Sequence, residues 1–149
     1  MILKNKNELR NFIDNRENSI NYLIAKLNEN KVYVENVDEC YLKIDEIQKF
    51  YEDYFLTASI EIQNELRLAF WSLFSKMVME KLGGEIKIAP PTDYCAGTPQ
   101  LVNYGNRYDK KGKKKWIGIA FDSWLNTLLK GKLFGTLKET VYSLIEDYS

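Results

Sequence analysis

The 149-residue sequence contains no histidine, which removes most ways of building a nucleophile or a zinc site. Zinc sets built on Cys and His, Ser-His-Asp triads and Cys-His pairs are all excluded. Two cysteines remain, Cys40 and Cys95, far apart in the chain and in no paired motif. They are read as free thiols of a reducing compartment. Cys95 lies in the turn-rich stretch Pro90-Pro91-Thr92-Asp93-Tyr94-Cys95-Ala96-Gly97-Thr98-Pro99. A lone thiol there is a nucleophile only if a neighbouring group lowers its pKa, and the stretch supplies no base. The loop is therefore read as structural or binding. No glycine spacing matches a phosphate-cradling loop, and no calcium loop appears.

Carboxylates offer another route, to acid–base work or magnesium binding. Asp45-Glu46 and Glu52-Asp53 recur seven residues apart, which brings the pairs together on one helix face. Lys49 interrupts that cluster, so the reading preferred is a solvated helix surface, and Glu61 and Glu65 are read the same way. The run Arg107 to Lys115 is different. It holds six cations and one Asp, flanked by Tyr104, Tyr108 and Trp116. Cations interleaved with aromatics can hold a nucleic-acid backbone and its bases. A compact basic tip can also meet an acidic protein surface. The plainest reading is a hairpin tip whose lysines discourage edge pairing.

These groups need elements to position them. Leu9, Phe12, Ile13, Ile20, Leu23, Ile24 and Leu27 form an apolar stripe that predicts one helix over about 5–30, with a gap at Arg16. Val32 and Val34 alternate with polar neighbours, as a short strand or an extended connector does. A second helix starts near Asp38 or Asp45, with Ile44, Ile47, Tyr51, Tyr54 and Phe55 inward and Asp45–Lys49 and Lys49–Asp53 able to pair outside. The longest helix is expected from about Ser59 to Leu82, stopped by Gly83-Gly84. Beyond it, Glu85–Ala89, Leu101–Tyr104 and Trp116–Phe121 read as strands, with the basic run as a long hairpin loop between the last two. Two helices follow, the first capped by Asp122 over about 123–130. The second opens with Thr136-Leu137-Lys138-Glu139, a capping box. The fold class expected is α+β: a helix-rich N-terminal half, a small antiparallel sheet of about three strands and two C-terminal helices, in one domain spanning 1–149.

Composition agrees with a folded chain: 45% hydrophobic and 28% charged residues, with 10 Tyr, 7 Phe and 3 Trp. The formal charge is zero but uneven, acidic over residues 1–80 and basic over 81–149. Neither half is extreme enough to demand a polyanion or a membrane. No stretch approaches 18 apolar residues and the first ten lack the apolar core of a signal peptide, so the expectation is a soluble, cytoplasmic protein with no membrane partner.

From about Phe70 onward the order of features resembles small bacterial proteins of unknown function and the immunity proteins of toxin–immunity pairs. The residues carrying this are Lys81-Leu82-Gly83-Gly84, the strand Glu85 to Ala89, Thr98-Pro99-Gln100-Leu101-Val102 and the run Lys115-Trp116-Ile117-Gly118-Ile119-Ala120-Phe121-Asp122-Ser123-Trp124-Leu125. The resemblance covers about half the chain and implies a non-enzymatic domain that binds a cognate toxin and occludes it, with no metal and no cofactor. Since aromatic and arginine side chains dominate interface energetics, Asp93, Tyr94, Arg107, Tyr108, Lys113, Lys114 and Trp116 are the expected partner contacts. Two other readings stay open. One is a nucleic-acid-binding or regulatory protein using the hairpin 107–115; the other is an enzyme with a carboxylate-based site at Asp93 or the helical acids.

Overall fold

The computed structural model describes residues 2–149, and it breaks the first expected helix in two. Helix α1 spans Lys6–Asp14 and α2 spans Arg16–Glu29, with Asn15 between them at φ −97°, ψ 5°. Asn5 opens α1 by accepting the Glu8 N–H at 3.0 Å. The gap in the stripe has a physical cause. Arg16 stands at an inward position, and its guanidinium donates to Ser75 Oγ and to Met79 Sδ, both at 3.4 Å. No carboxylate meets it, and burial pushes its pKa down.

Residues 32–35 form an extended connector rather than a strand. The next helical stretch also starts differently from the sequence expectation. Asn36, not Asp38, caps α3 (Val37–Leu42) by accepting the Glu39 N–H, and α4 (Ile44–Tyr54) begins one residue before Asp45. The Asp45–Lys49 pair does not form because Lys49 turns the other way, to Asp53 at 2.9 Å. A 3₁₀ turn, Phe55–Thr57, leads to Ser59, which caps the longest helix, α5 (Ile60–Leu82).

Helix α5 is the axis of the molecule. From Ala69 through Ser75 every residue is buried, so two full turns are enclosed on all sides. Helices α2 and α3 and the last two helices of the chain, α6 (Phe121–Leu129) and α7 (Leu137–Tyr148), pack around it. Phe70, Phe74, Tyr51 and Phe55 join it to α4 through a run of ring contacts 4.5–6.1 Å apart. The fully buried Tyr51 hydroxyl donates to the Leu66 carbonyl at 2.7 Å, which satisfies the one polar atom of that ring.

The sheet is a three-stranded antiparallel meander in the order β1 (Glu85–Ile88), β2 (Pro99–Val102), β3 (Ile119–Ala120). Strand β2 lies two residues earlier than the spacing predicts. Strand β3 is only two residues long, because Phe121 already belongs to α6 (Phe121–Leu129). Asp122 therefore sits inside that helix and does not cap it. A Cβ at Gly118 would collide with the Gln100 side chain. Thr136 caps α7 (Leu137–Tyr148), accepting the Glu139 N–H at 3.1 Å. The arrangement is the expected α+β class, helix-rich first, with a small sheet and two closing helices. Among the described residues no helix is long and apolar enough to cross a membrane.

Candidate functional site

A meander puts its two connections at opposite ends of the sheet, and this separates the expected contact residues into two groups. Asp93 and Tyr94 lie in the β1–β2 connection; Arg107, Tyr108, Lys113, Lys114 and Trp116 lie in the β2–β3 connection.

At the first end, Asp93 works locally. Its carboxylate accepts the Cys95 N–H at 3.0 Å, an Asx-type turn that shapes the loop. Tyr94 projects into solvent, 79% exposed. Cys95 is buried, and desolvation pushes its thiol pKa up, with Asp122 and Asp93 adding to the shift. This moves the thiol away from the reactive thiolate form.

At the second end the basic run folds into a tight, internally hydrogen-bonded tip. The single acid of the run organises it: Asp109 Oδ1 accepts the N–H groups of Lys111 and Lys113, both at 2.9 Å. Its own N–H donates to the Lys113 carbonyl, and Lys115 N–H donates to the Arg107 carbonyl, both at 2.8 Å. Lys114 reaches back across the hairpin to the Asn103 carbonyl at 3.1 Å, so this cation braces the loop. Lys113 and Lys115 are left exposed on the tip.

The root of the hairpin is held by two tyrosines. Tyr104 is almost fully buried and donates its hydroxyl to the Ile117 carbonyl at 2.8 Å, which ties the two arms together. Desolvation pushes its pKa up to about 12. Tyr148, at the end of α7, meets the Tyr104 ring at a tilt with centroids 5.0 Å apart and lies under the Arg107 guanidinium at 5.3 Å. The Tyr148 carbonyl also accepts the Asn106 N–H at 2.7 Å.

What results is an open cleft of about 550 Å³ lined by Arg107, Lys113, Lys114, Lys115, Trp116, Ile117 and Tyr148. Its lining carries apolar surface in contact with water, with Ile117 74% and Trp116 40% exposed, and Tyr108, 57% exposed, stands elsewhere on the same hairpin. Ile117 and Tyr148 also border a second cleft, between the free edge of β3 and helices α6 and α7. The surface thus combines cations, flat aromatic area and an unpaired short edge. Four of the expected contact residues, Arg107, Lys113, Lys114 and Trp116, come together here, while Tyr108 pairs with Lys114 in the same hairpin. Ile117 and Tyr148 join them, and neither stood out as a contact in the sequence. The three tip lysines and Arg107 meet no carboxylate, since the ion pairs among the described residues lie elsewhere.

One polar cluster away from this cleft also escaped the sequence reading. Arg67 on α5 and Asp122 on α6 form an ion pair that is mostly buried. Asp122 Oδ1 also accepts the Trp71 indole N–H at 3.0 Å, and Oδ2 accepts Asn126 Nδ2 at 3.0 Å. No buried side-chain polar atom of the cluster lacks a partner, which is the signature of a staple between helices rather than of a reactive group. The acids at 45, 46, 52 and 53 lie on the exposed face of α4 and gather no metal-binding group. No protein-family model, curated protein or solved structure matches the chain.

Proposed function

We propose that this chain is a non-enzymatic protein-binding domain whose working surface is the cleft between the basic hairpin and the end of α7. The observation carrying this reading is the coexistence of unpaired cations with exposed Trp116, Ile117 and Tyr108 on a rigid, cross-braced loop. Aromatic and arginine anchors supply binding energy at interfaces, while exposed lysines steer an acidic partner and speed association. Bracing by Asp109, Lys114, Tyr104 and Tyr148 lowers the ordering cost of binding. The partner proposed is a protein with an acidic, apolar-centred surface, bound by occlusion as the immunity proteins of toxin–immunity pairs bind theirs. Retention of one stoichiometric protein by the tagged chain in extract of its native host, and protection from that protein when both are expressed, is the test. Failure of both removes the reading.

A second reading rests on the same lysines. Six cations beside Trp116 suit a single-stranded nucleic acid, and binding would then fall steeply with salt. The braced geometry favours the protein partner, because Lys114 is turned to the Asn103 carbonyl and Arg107 to the Tyr148 ring of α7.

A further inference from the structure

The other edge of the sheet carries a distinct feature that does not depend on the hairpin. At the end of β1, Ala89 N–H donates to the Thr98 carbonyl at 2.9 Å, and Gly97 N–H donates to the Ala89 carbonyl at 3.1 Å. With Gly97 at φ +82°, this is a glycine bulge opposite Ala89. Ala89 therefore bonds towards β2. Because bonding direction alternates along an antiparallel strand, Lys87 and Glu85 bond the same way. Ile86 and Ile88 must then turn their N–H and C=O groups outward. Pro99, which stands opposite Ile88 and has no N–H to give, fits this phase. No hydrogen bond from another described element reaches either isoleucine.

This open edge faces α1 across a groove of about 690 Å³. Its apolar lining is Leu9, Ile13, Ile86 and Ile88; its charged lining is Lys6, Arg10 and Lys87, with no carboxylate. The three cations are exposed and make no ion pair among the described residues.

We infer that the β1 edge takes up an extended segment of another protein, added as a fourth strand, in which apolar residues alternate with Asp or Glu. Residues opposite Ile86 and Ile88 share their apolar face, and the residue opposite Lys87 shares its charged face, so the alternation follows from pairing. Main-chain bonds to the outward groups of Ile86 and Ile88 supply affinity, and the cations set the charge of the guest. A second copy of this chain is a poorer guest. The antiparallel register that uses both outward residues of each strand puts Lys87 directly opposite its own counterpart, where like charges repel.

The test uses the full chain and a labelled, capped seven-residue peptide alternating valine and glutamate, followed by fluorescence anisotropy and by amide exchange. The free protein should exchange the Ile86 and Ile88 amides fast while Lys87 and Ala89 are protected. Saturating peptide should protect Ile86 and Ile88. Lys87→Glu combined with Arg10→Glu, both on exposed positions, should weaken binding roughly fivefold or more while leaving the circular dichroism unchanged. A peptide with lysine in place of glutamate should not bind. The inference is overturned if Ile86 and Ile88 are already protected in the free monomer, or if no saturable binding occurs up to millimolar peptide. Equal binding of the lysine peptide also overturns it. Protection that appears with rising protein concentration alone would assign the edge to a second copy and overturn it too.

Discussion

The Arg107 guanidinium lies 5.3 Å from the centre of the Tyr148 ring, so the root of the basic hairpin rests on the last turn of α7. This contact, with the Tyr104 ring at 5.0 Å, makes the C-terminal helix part of the candidate surface. Cation–π and ring–ring contacts contribute about 1 kcal/mol each. Tyr148→Ala should therefore lower stability by about 1–2 kcal/mol and quicken amide exchange at Asn106 and Lys115, whereas Tyr148→Phe should do neither. Hydrogen exchange read by mass spectrometry checks this, and unchanged exchange in Tyr148→Ala would show that the hairpin stands without α7.

The Asp122 carboxylate is the shared acceptor of Arg67 and the Trp71 indole. Asp122→Ala leaves the mostly buried Arg67 with no counter-ion and only the Asn126 amide oxygen at 3.1 Å, leaves the buried Trp71 donor with no acceptor, and should cost about 3 kcal/mol. Asp122→Asn keeps an acceptor for Trp71 and should cost less. Urea midpoints of the two variants give the comparison; a cost below about 1 kcal/mol for Asp122→Ala would mean that Arg67 finds water instead.

Gly84 holds φ +98°, and a Cβ there would stand 2.8 Å from the Val102 carbonyl oxygen and 2.9 Å from Tyr104 Cβ. The obstruction is partly backbone, so it cannot swing aside. Gly84→Ala should destabilise by about 2–3 kcal/mol through strain and overpacking at the start of β1. Thermal unfolding reads it. Gly112→Ala, at the exposed hairpin tip with nothing within 4 Å, should cost only its backbone strain, about 1 kcal/mol.

Burial pushes the Cys40 thiol from an ordinary 9.0 to about 12, and the Tyr104 hydroxyl from 10.0 to about 12. The unfolded chain loses these protons first as pH rises, so it binds fewer protons than the folded chain above pH 9. Their contribution to stability is then fully present below that pH and lost between about 9 and 12. Unfolding free energy should be insensitive to these groups at neutral pH and fall across that window, with Cys40→Ala shallowing its lower part. Neither thiol should react with a disulfide reagent in native protein at pH 8, and fast labelling of Cys40 under those conditions would contradict its burial.

What the sequence made legible follows from what is local. The Ser59 cap and Gly83 stop delimit α5 within a residue, because both act through adjacent backbone groups. The Thr136 cap was legible for the same reason. Trp116–Phe121 alternates like a strand yet yields only Ile119–Ala120, since two-residue alternation does not distinguish a strand end from the first inward residue of a helix. The Asn15 break was marked only by the interruption at Arg16, whose partners Ser75 and Met79 are remote in sequence. At the candidate surface the basic and aromatic residues stood out by composition, but Tyr148 did not, because its part depends on α7 ending beside Gly105. Asp93 and Tyr94 looked like companions of the hairpin until strand order placed them at the far end of the sheet. The Arg67–Asp122 staple joins two helices through tertiary packing and has no local signature.

The most direct test of the binding account is a paired pull-down from native-host extract, using the tagged chain and a Trp116→Ala, Lys113→Glu, Lys115→Glu variant of it. These three side chains are exposed, so the variant should keep the wild-type circular dichroism and thermal midpoint. One stoichiometric protein should be retained by the wild type and lost from the variant. The same protein retained equally by both, or only nuclease-sensitive material retained by the wild type, would contradict the binding account.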